Sequence, residues 1–436
     1  GTDLSRAVSL VRNHWQHLSP QPSLTKLVCI TALAWQMLVC DYCSVVANFI
    51  QTMIQFAHST YQSQIWQTYL FGVFIHALAY ILNVTSGRLL PRLQVLAFTV
   101  HILGFFGILI PLSFMPEHRE SHEVFAPYIS VASERFPSPA FSWIAGALFY
   151  NGVFMGGDCA VHLAEEAERA TAILGPTMIL SIFIDGLLAF GITIALLFNE
   201  QTVQEIIAGE VFWPEMLFYE TTKSRAATMI MSCVWVVPFM GAVLASIGPA
   251  SRQLWSLSRD RGIPGWYIWK KVSSNNLPIN SITLVIILSL LISLLQFQVG
   301  SYSIWYNFIS TAGPLWCISY TIIGSLLLYR RWKGQIHPYG SIDDSRINAP
   351  GAKLVWGPFR APGVWGIMIN FFSVFYNILI LIFSSYPWNS TSSMNLFVRI
   401  LSMPTGICNL IILSISAYYF ARARHYWRGP IVETSI

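Results

Sequence analysis

Residues 155–166 read Met155-Gly156-Gly157-Asp158-Cys159-Ala160-Val161-His162-Leu163-Ala164-Glu165-Glu166, and they close an apolar run that begins near residue 141. Two adjacent glycines weaken a helix, and a carboxylate in lipid is costly unless it faces water or the interior of a helix bundle. Transport proteins often break a helix at such a point so that its backbone can contact a substrate or ion. The same glycines are also typical of close packing between membrane helices, so both interpretations stand.

The composition of the whole chain indicates a membrane protein. Hydrophobic residues make up 54% of the 436 residues and charged residues only 10%, with a mean hydropathy of +0.55. A soluble domain carries about a quarter charged residues. The net charge of +5 is modest and does not indicate a nucleic-acid partner.

Ten apolar runs are long enough to cross a bilayer, and each is predicted to be a helix because lipid offers no partner to free backbone groups. The runs cover about 24–50, 65–84, 93–114, 141–163, 172–198, 226–248, 279–297, 304–329, 364–386 and 394–421. With the N-terminus in the cytoplasm, 20 of the 25 Lys and Arg residues fall on the inner side, as the positive-inside rule requires. Both termini are therefore predicted to be cytoplasmic.

Four further polar residues lie within these runs: Asp41, His76, His101 and Asp185. The two carboxylates could join a proton pathway or could bond to a neighbouring helix. The two histidines have no catalytic group near them in sequence, so bonds between helices are favoured for them.

The residues His162, Glu165 and Glu166 have a spacing that could bind a metal ion. They lie at the predicted inner edge of the membrane among other charges. Capping and ion pairing are therefore favoured over metal binding.

The stretch 155–166 resembles the signature G-x-D-A-A-x-H-M-x-E-E of fungal amino acid/choline (GABA-type) permeases, in the amino acid–polyamine–organocation (APC) superfamily. Three other segments resemble motifs of that family in the same order and spacing. They are the inner-loop stretch 251–264, Leu277-Pro278-Ile279-Asn280-Ser281, and Gly357-Pro358-Phe359-Arg360. The resemblance extends over residues 14–430.

The resemblance implies an all-α membrane protein with a truncated LeuT-like inverted-repeat transporter fold. Members of the family have two inverted five-helix repeats followed by two helices, and the first two helices have no counterpart here. The implied parts are a cytoplasmic segment 1–23, a permease domain 24–421 with an incomplete first repeat 24–114, a second repeat 141–329 and two extra helices 364–421, and a cytoplasmic tail 422–436. A fragment, an incomplete gene model and a truncated inactive relative would each account for this difference.

The resemblance also implies secondary, proton-coupled transport of an amino acid or a related amine, such as choline or GABA, at the plasma membrane. The expected substrate-binding residues are Val153, Phe154, Gly156, Gly157, Asp158 and, on the family-equivalent span 226–248, Ser246. The expected partners are a small-molecule amine or amino acid, a coupling proton and the lipid bilayer, with no nucleic acid, metal or cofactor.

Two other functions remain open from the sequence. A non-transporting relative could act as a receptor or a subunit. A membrane-embedded enzyme of the acyltransferase kind could use His76 or His101, although the broken span has no role in such an enzyme.

Overall fold

The computed structural model describes residues 22–423 apart from several segments, and all structural statements refer to the described residues. The segments outside it are 59, 86–88, 116–117, 119, 126–137, 139, 142, 145, 147–149, 165–168, 200–213, 274–276, 298–303, 342–352 and 385–403. Most of the two predicted terminal segments, 1–23 and 422–436, therefore lies outside the described residues.

The described chain is almost entirely helical, as predicted. In chain order the α-helices are α1 Pro22–Ala57, α2 Ile65–Thr85, α3 Leu90–Phe114, α4 Ser121–Phe125, α5 Cys159–His162, α6 Ala170–Leu197, α7 Glu215–Thr222, α8 Arg225–Arg259, α9 Trp266–Trp269, α10 Ile279–Ser293, α11 Ile304–Ser310, α12 Ala312–Trp332, α13 Gly363–Ser384 and α14 Pro404–Tyr418. A 3-10 turn at Leu294–Phe297 extends α10, and a π-helical turn at Tyr419–Ala423 extends α14.

Nine helices in the described part of the chain are long and apolar enough to cross a membrane. They correspond to nine of the ten predicted spans, and α11 and α12 together form one of them. The remaining prediction, a span over 141–163, is not a single long helix: it contains a 3-10 turn at Tyr150–Phe154 and then the short helix α5. The protein is thus an all-α, multi-pass membrane protein whose fourth predicted span is interrupted.

Helix α1 lies at the centre of the packed core, while α3 and α6 lie at its edge. Of the apolar segment of α1, 61% is buried inside the protein, against 6% for α6. The core forms where α1 packs against α2, α8, α10 and α12. Exposed apolar side chains on α6, such as Phe183 and Phe190, are those expected to face lipid.

The segment between α12 and α13 contains a short ordered element. The strands β1 Ile336–His337 and β2 Leu354–Val355 pair in parallel, with Ile336 opposite Leu354. This pair connects the end of α12 to the start of α13. The division of the chain into repeats at 24–114 and 141–329 stays a prediction.

Candidate functional site

The backbone of the fourth span departs from helical geometry between the 3-10 turn and α5. Gly156 has a φ of +89°, a left-handed conformation that glycine adopts without a steric penalty. The Cys159 N–H donates to the Gly156 carbonyl at 2.9 Å, and the Met155 N–H donates to the Gly152 carbonyl at 3.3 Å. These are three-residue turn bonds instead of regular α-helical ones, so the helix is interrupted where the glycine pair predicts it.

Asp158 follows this interruption and directly precedes α5. Its Oδ2 lies 3.0 Å from His162 Nε2, and the two side chains are only 11% and 15% exposed. The amide nitrogen of Gln253, near the end of α8, lies 3.1 Å from a ring nitrogen of His162. Tyr320 on α12 also interacts with Asp158 through its hydroxyl. The Asp158–His162 pair therefore interacts with polar side chains from α8 and α12.

Two tryptophans form an aromatic wall beside this pair. The Trp35 ring on α1 makes an edge-to-face contact with His162, with ring centroids 5.7 Å apart. Trp316 on α12 makes a similar contact with Trp35 at 5.3 Å. Both indoles are almost fully buried, and within the described structure neither indole N–H has a hydrogen-bond partner.

The arrangement suits a small polar molecule that carries a positive charge. Buried polar atoms normally have hydrogen-bond partners, yet this cluster contains two indole N–H groups and the Gln253 carbonyl oxygen without one in the described structure. A carboxylate can bind an ammonium group, and aromatic faces attract cations. The unpartnered N–H groups can donate to an anionic group on the same molecule.

Of the six predicted site residues, two belong to the cluster around Asp158 and four lie elsewhere. Gly156 and Asp158 belong to the cluster, since a Cβ atom on Gly156 would lie 4.0 Å from the Trp35 ring. Gly157 faces Ile182 of α6 instead. Val153 and Phe154 are 43% and 41% exposed.

Phe154 and Ser246 have local partners of their own. The Phe154 ring lies against Gly186 on α6, 3.4 Å from where a Cβ atom would stand. Ser246 is buried in α8, and its hydroxyl donates to the Val243 carbonyl at 2.9 Å within the same helix. Its neighbour Ala245 accepts a 3.8 Å contact from the Cys159 thiol, so this part of α8 does pack against α5.

Sequence reasoning missed most of the groups that surround Asp158. The four-residue spacing between Asp158 and His162 is a local signal for a helical pair, and it could have identified His162 as the partner. No local signal identifies Trp35, Gln253 or Trp316, because they come from helices distant in sequence.

Three of the four other polar residues of the spans, His76, His101 and Asp185, interact with a neighbouring helix. His76 Nδ1 lies 2.7 Å from the Gly72 carbonyl oxygen and Nε2 lies 2.6 Å from the Ser289 hydroxyl. The histidine therefore joins α2 to α10, which confirms the predicted bond between helices. Asp185 on α6 interacts electrostatically with His101 on α3.

The structure tests only part of the predicted metal-binding group, because it describes His162 but not Glu165 or Glu166. Glu165 and Glu166 lie outside the described residues. Among those described, no group of three or more His, Cys, Asp or Glu side chains is placed to hold a metal ion.

The chain is similar to known transport proteins. The 375 residues aligned with the amino-acid permease BAT1 of Arabidopsis thaliana are 25% identical, covering 82% of this chain and 66% of that protein. The BAT1 homolog of Oryza sativa subsp. japonica is 24% identical over 76% of this chain and 61% of its own length. A choline transporter of Saccharomyces cerevisiae is 22% identical over 54% of this chain and 42% of its own length.

The chain thus spans less than two thirds of the length of these relatives. The model of the amino acid permease family matches residues 14–407, which is most of the chain. Together with the interrupted span and the apolar helices, this match shows that the chain belongs to the amino acid permease family of the APC superfamily.

Proposed function

We propose that this chain mediates secondary transport of an amino acid or a related amine, with Asp158 as the carboxylate that binds the substrate amine or carries a coupling proton. The observation that carries this proposal is the enclosed Asp158–His162 pair directly after a helix interruption. Amino-acid and choline transport by the named relatives supports the same substrate class. The proposed location is the plasma membrane, with both termini in the cytoplasm.

The surroundings of Asp158 favour a substrate with an amine and a second polar group. An ammonium group can bind Asp158 while contacting the faces of Trp35 and Trp316. A carboxylate on the same molecule would give the indole N–H groups the acceptors that they lack. Amino acids and GABA carry both groups, whereas choline carries the cation and a hydroxyl.

Proton coupling is the second part of the proposal. A carboxylate and an imidazole in hydrogen-bond contact can pass a proton between them. Loss or gain of that proton would change the charge that faces the substrate. This would link substrate binding to the proton gradient without a further cofactor.

Uptake by the purified chain in proteoliposomes tests this proposal. Radiolabelled GABA, choline and a panel of amino acids are supplied outside, with an inward proton gradient. Accumulation that a protonophore abolishes is the expected result. Binding of a substrate, measured as a thermal shift, without any uptake would instead favour the non-transporting relative.

A further inference from the structure

A cleft opens at the face that the Lys and Arg distribution assigns to the cytoplasm. It has a volume of about 250 Å³ and lies between the end of α12, the β1–β2 pair and the start of α13. Arg331 and Arg360 line it, together with Trp356, Pro362 and Ile367. It belongs to a different part of the chain from the cluster around Asp158.

The Arg331 guanidinium is held in place by its neighbours. Its Nη2 donates to the Ala361 carbonyl at 2.7 Å, and its Cζ lies 4.5 Å from the centroid of the Trp356 ring. A Cβ atom on Gly366 would overlap the guanidinium, so glycine is needed for this close approach. An Arg side chain has five N–H donors, and a single hydrogen bond of Arg331 within the described structure leaves most of them for a ligand.

The second arginine adds a like charge to the same cleft. Arg360 belongs to the Gly357-Pro358-Phe359-Arg360 segment, is exposed, and interacts electrostatically with Arg331. No ion pair within the described residues involves either side chain. Two positive charges held together with free donors favour an anion, and the planar guanidinium fork matches the oxygens of a phosphate.

Exposed apolar side chains next in sequence to the cleft residues indicate the source of that phosphate. Phe359, Val364 and Trp365 are all exposed, the last at 70%, and Trp332 at the end of α12 is exposed as well. Aromatic residues beside Arg and Lys at the end of a spanning helix are typical of the membrane interface. Basic pockets between helices on the cytoplasmic side are suited to the headgroups of anionic lipids.

We propose that the phosphate of an anionic phospholipid binds in the Arg331–Arg360 cleft, with its acyl chains against Phe359, Val364 and Trp365. Arg331 is the donor held by Ala361 and Trp356, and the exposed Arg360 supplies the second guanidinium. The lipid would join the end of α12 to the start of α13. Lipid binding in this cleft is proposed without reference to the substrate or to transport.

Retention of lipid by the purified full chain tests the proposal. Native mass spectrometry counts the phosphatidylglycerol molecules that stay bound in detergent, with phosphatidylcholine as the neutral comparison. Arg360→Gln changes an exposed residue outside the packed core, and it is expected to weaken phosphatidylglycerol binding about tenfold, as for loss of a hydrogen bond to a charged group. Arg331→Lys keeps the positive charge but replaces the planar guanidinium with an ammonium group. A similar loss of phosphatidylglycerol binding is expected.

A matched control distinguishes lipid binding in the cleft from general attraction of anionic lipid to a positively charged surface. Lys333→Gln removes one positive charge from the same face at a residue that does not line the cleft, and it is expected to leave retention unchanged. Equal losses in Arg360→Gln and Lys333→Gln, or no preference for phosphatidylglycerol in the parent, would overturn the proposal. Displacement of the lipid by micromolar inorganic phosphate would show that free phosphate is the ligand, which would contradict the proposal of a lipid.

Discussion

His162 Nε2 lies 3.0 Å from Asp158 Oδ2, across a single turn of chain that begins at a helix interruption. Both side chains are largely buried inside a membrane protein. A buried carboxylate without a partner is strongly destabilising. The contact with the imidazole therefore stabilises Asp158 at this buried position. The pair also leaves part of the carboxylate's hydrogen-bonding capacity for a ligand, because a carboxylate accepts several hydrogen bonds.

Replacing His162 with Phe tests the importance of this pair. The ring would keep the edge-to-face packing against Trp35, but the hydrogen bond to Asp158 would be lost. Asp158 would then be a buried carboxylate without its imidazole partner, which is destabilising. The thermal midpoint in detergent is expected to fall by several degrees. An unchanged midpoint would mean that the imidazole is only a packing element.

Gly156→Ala tests whether the interruption needs its left-handed residue. The new Cβ atom has room, since its nearest neighbours would be 4.0 Å away, so the effect comes from the φ of +89° alone. A residue held in this region costs about 1–3 kcal/mol. The thermal midpoint in detergent is expected to fall by several degrees.

The neighbouring glycine is the matched control for that variant. Gly157 lacks a left-handed φ, and a Cβ atom there would meet only ordinary contacts, the nearest at 3.5 Å. Gly157→Ala should leave the midpoint within about one degree of the parent. Equal losses in the two variants would show that the glycines serve close packing and not the helix interruption.

Hydropathy was sufficient to predict nine of the spanning helices, but it placed several ends too early. Helix α1 continues from the predicted residue 50 to Ala57, and α8 continues from 248 to Arg259. Residues such as Ser251 and Gln253 are polar yet buried against other helices. A hydropathy window reads them as loop, because burial within the bundle depends on neighbours that are distant in sequence.

Trp316→Phe separates a ligand role for the indole N–H from a structural one. Phenylalanine keeps an aromatic ring near Trp35 but removes the indole N–H, a buried donor without a partner in the described structure. The phenyl ring is smaller than the indole, so the cavity lowers the thermal midpoint whether or not the N–H binds a ligand. If the N–H binds the substrate, affinity falls about tenfold as well. Unchanged affinity would contradict the ligand role.

Glu215, at the start of α7, should make stability depend on pH. Its side chain is 1% exposed, Oε1 accepts a hydrogen bond from the Thr52 hydroxyl at 3.0 Å, and Oε2 has no partner in the described structure. Burial raises the pKa of Glu215 above its ordinary value of 4.5, although the bond from Thr52 works in the opposite direction. The folded state therefore binds this proton more tightly than the unfolded chain does.

The sign of the effect follows from that difference. The contribution of Glu215 to the free energy of unfolding is fully present below pH 4.5. It is lost as the pH rises through the raised pKa of the folded state. Glu215→Gln should be more stable than the parent at neutral pH, and the gain should vanish in acid. Thermal midpoints from pH 4 to 8 measure this. Glu120→Gln, at a largely exposed carboxylate, is the control and should not alter the profile.

The candidate site was predictable only as far as its own stretch of sequence. The glycine pair and Asp158 are unusual within an apolar run, and their chemistry is readable from the sequence. Ser246 was assigned through the resemblance, and its hydroxyl is engaged within its own helix. The aromatic wall could not be predicted, because Trp35 and Trp316 meet only through the packing of α1 against α12.

The dependence of uptake on Asp158 tests the proposed transport most directly. Asp158→Asn keeps the shape of the side chain and much of its hydrogen bonding but removes its charge and its titration. The measurement is the initial rate of substrate uptake into proteoliposomes across a range of external pH, for parent and variant reconstituted in equal amounts. We expect the variant to fold and to insert into the membrane. Its uptake rate should be at least about tenfold lower than that of the parent and should not depend on pH as the parent's does. Uptake at the parent's rate with the parent's pH profile would contradict the role of Asp158.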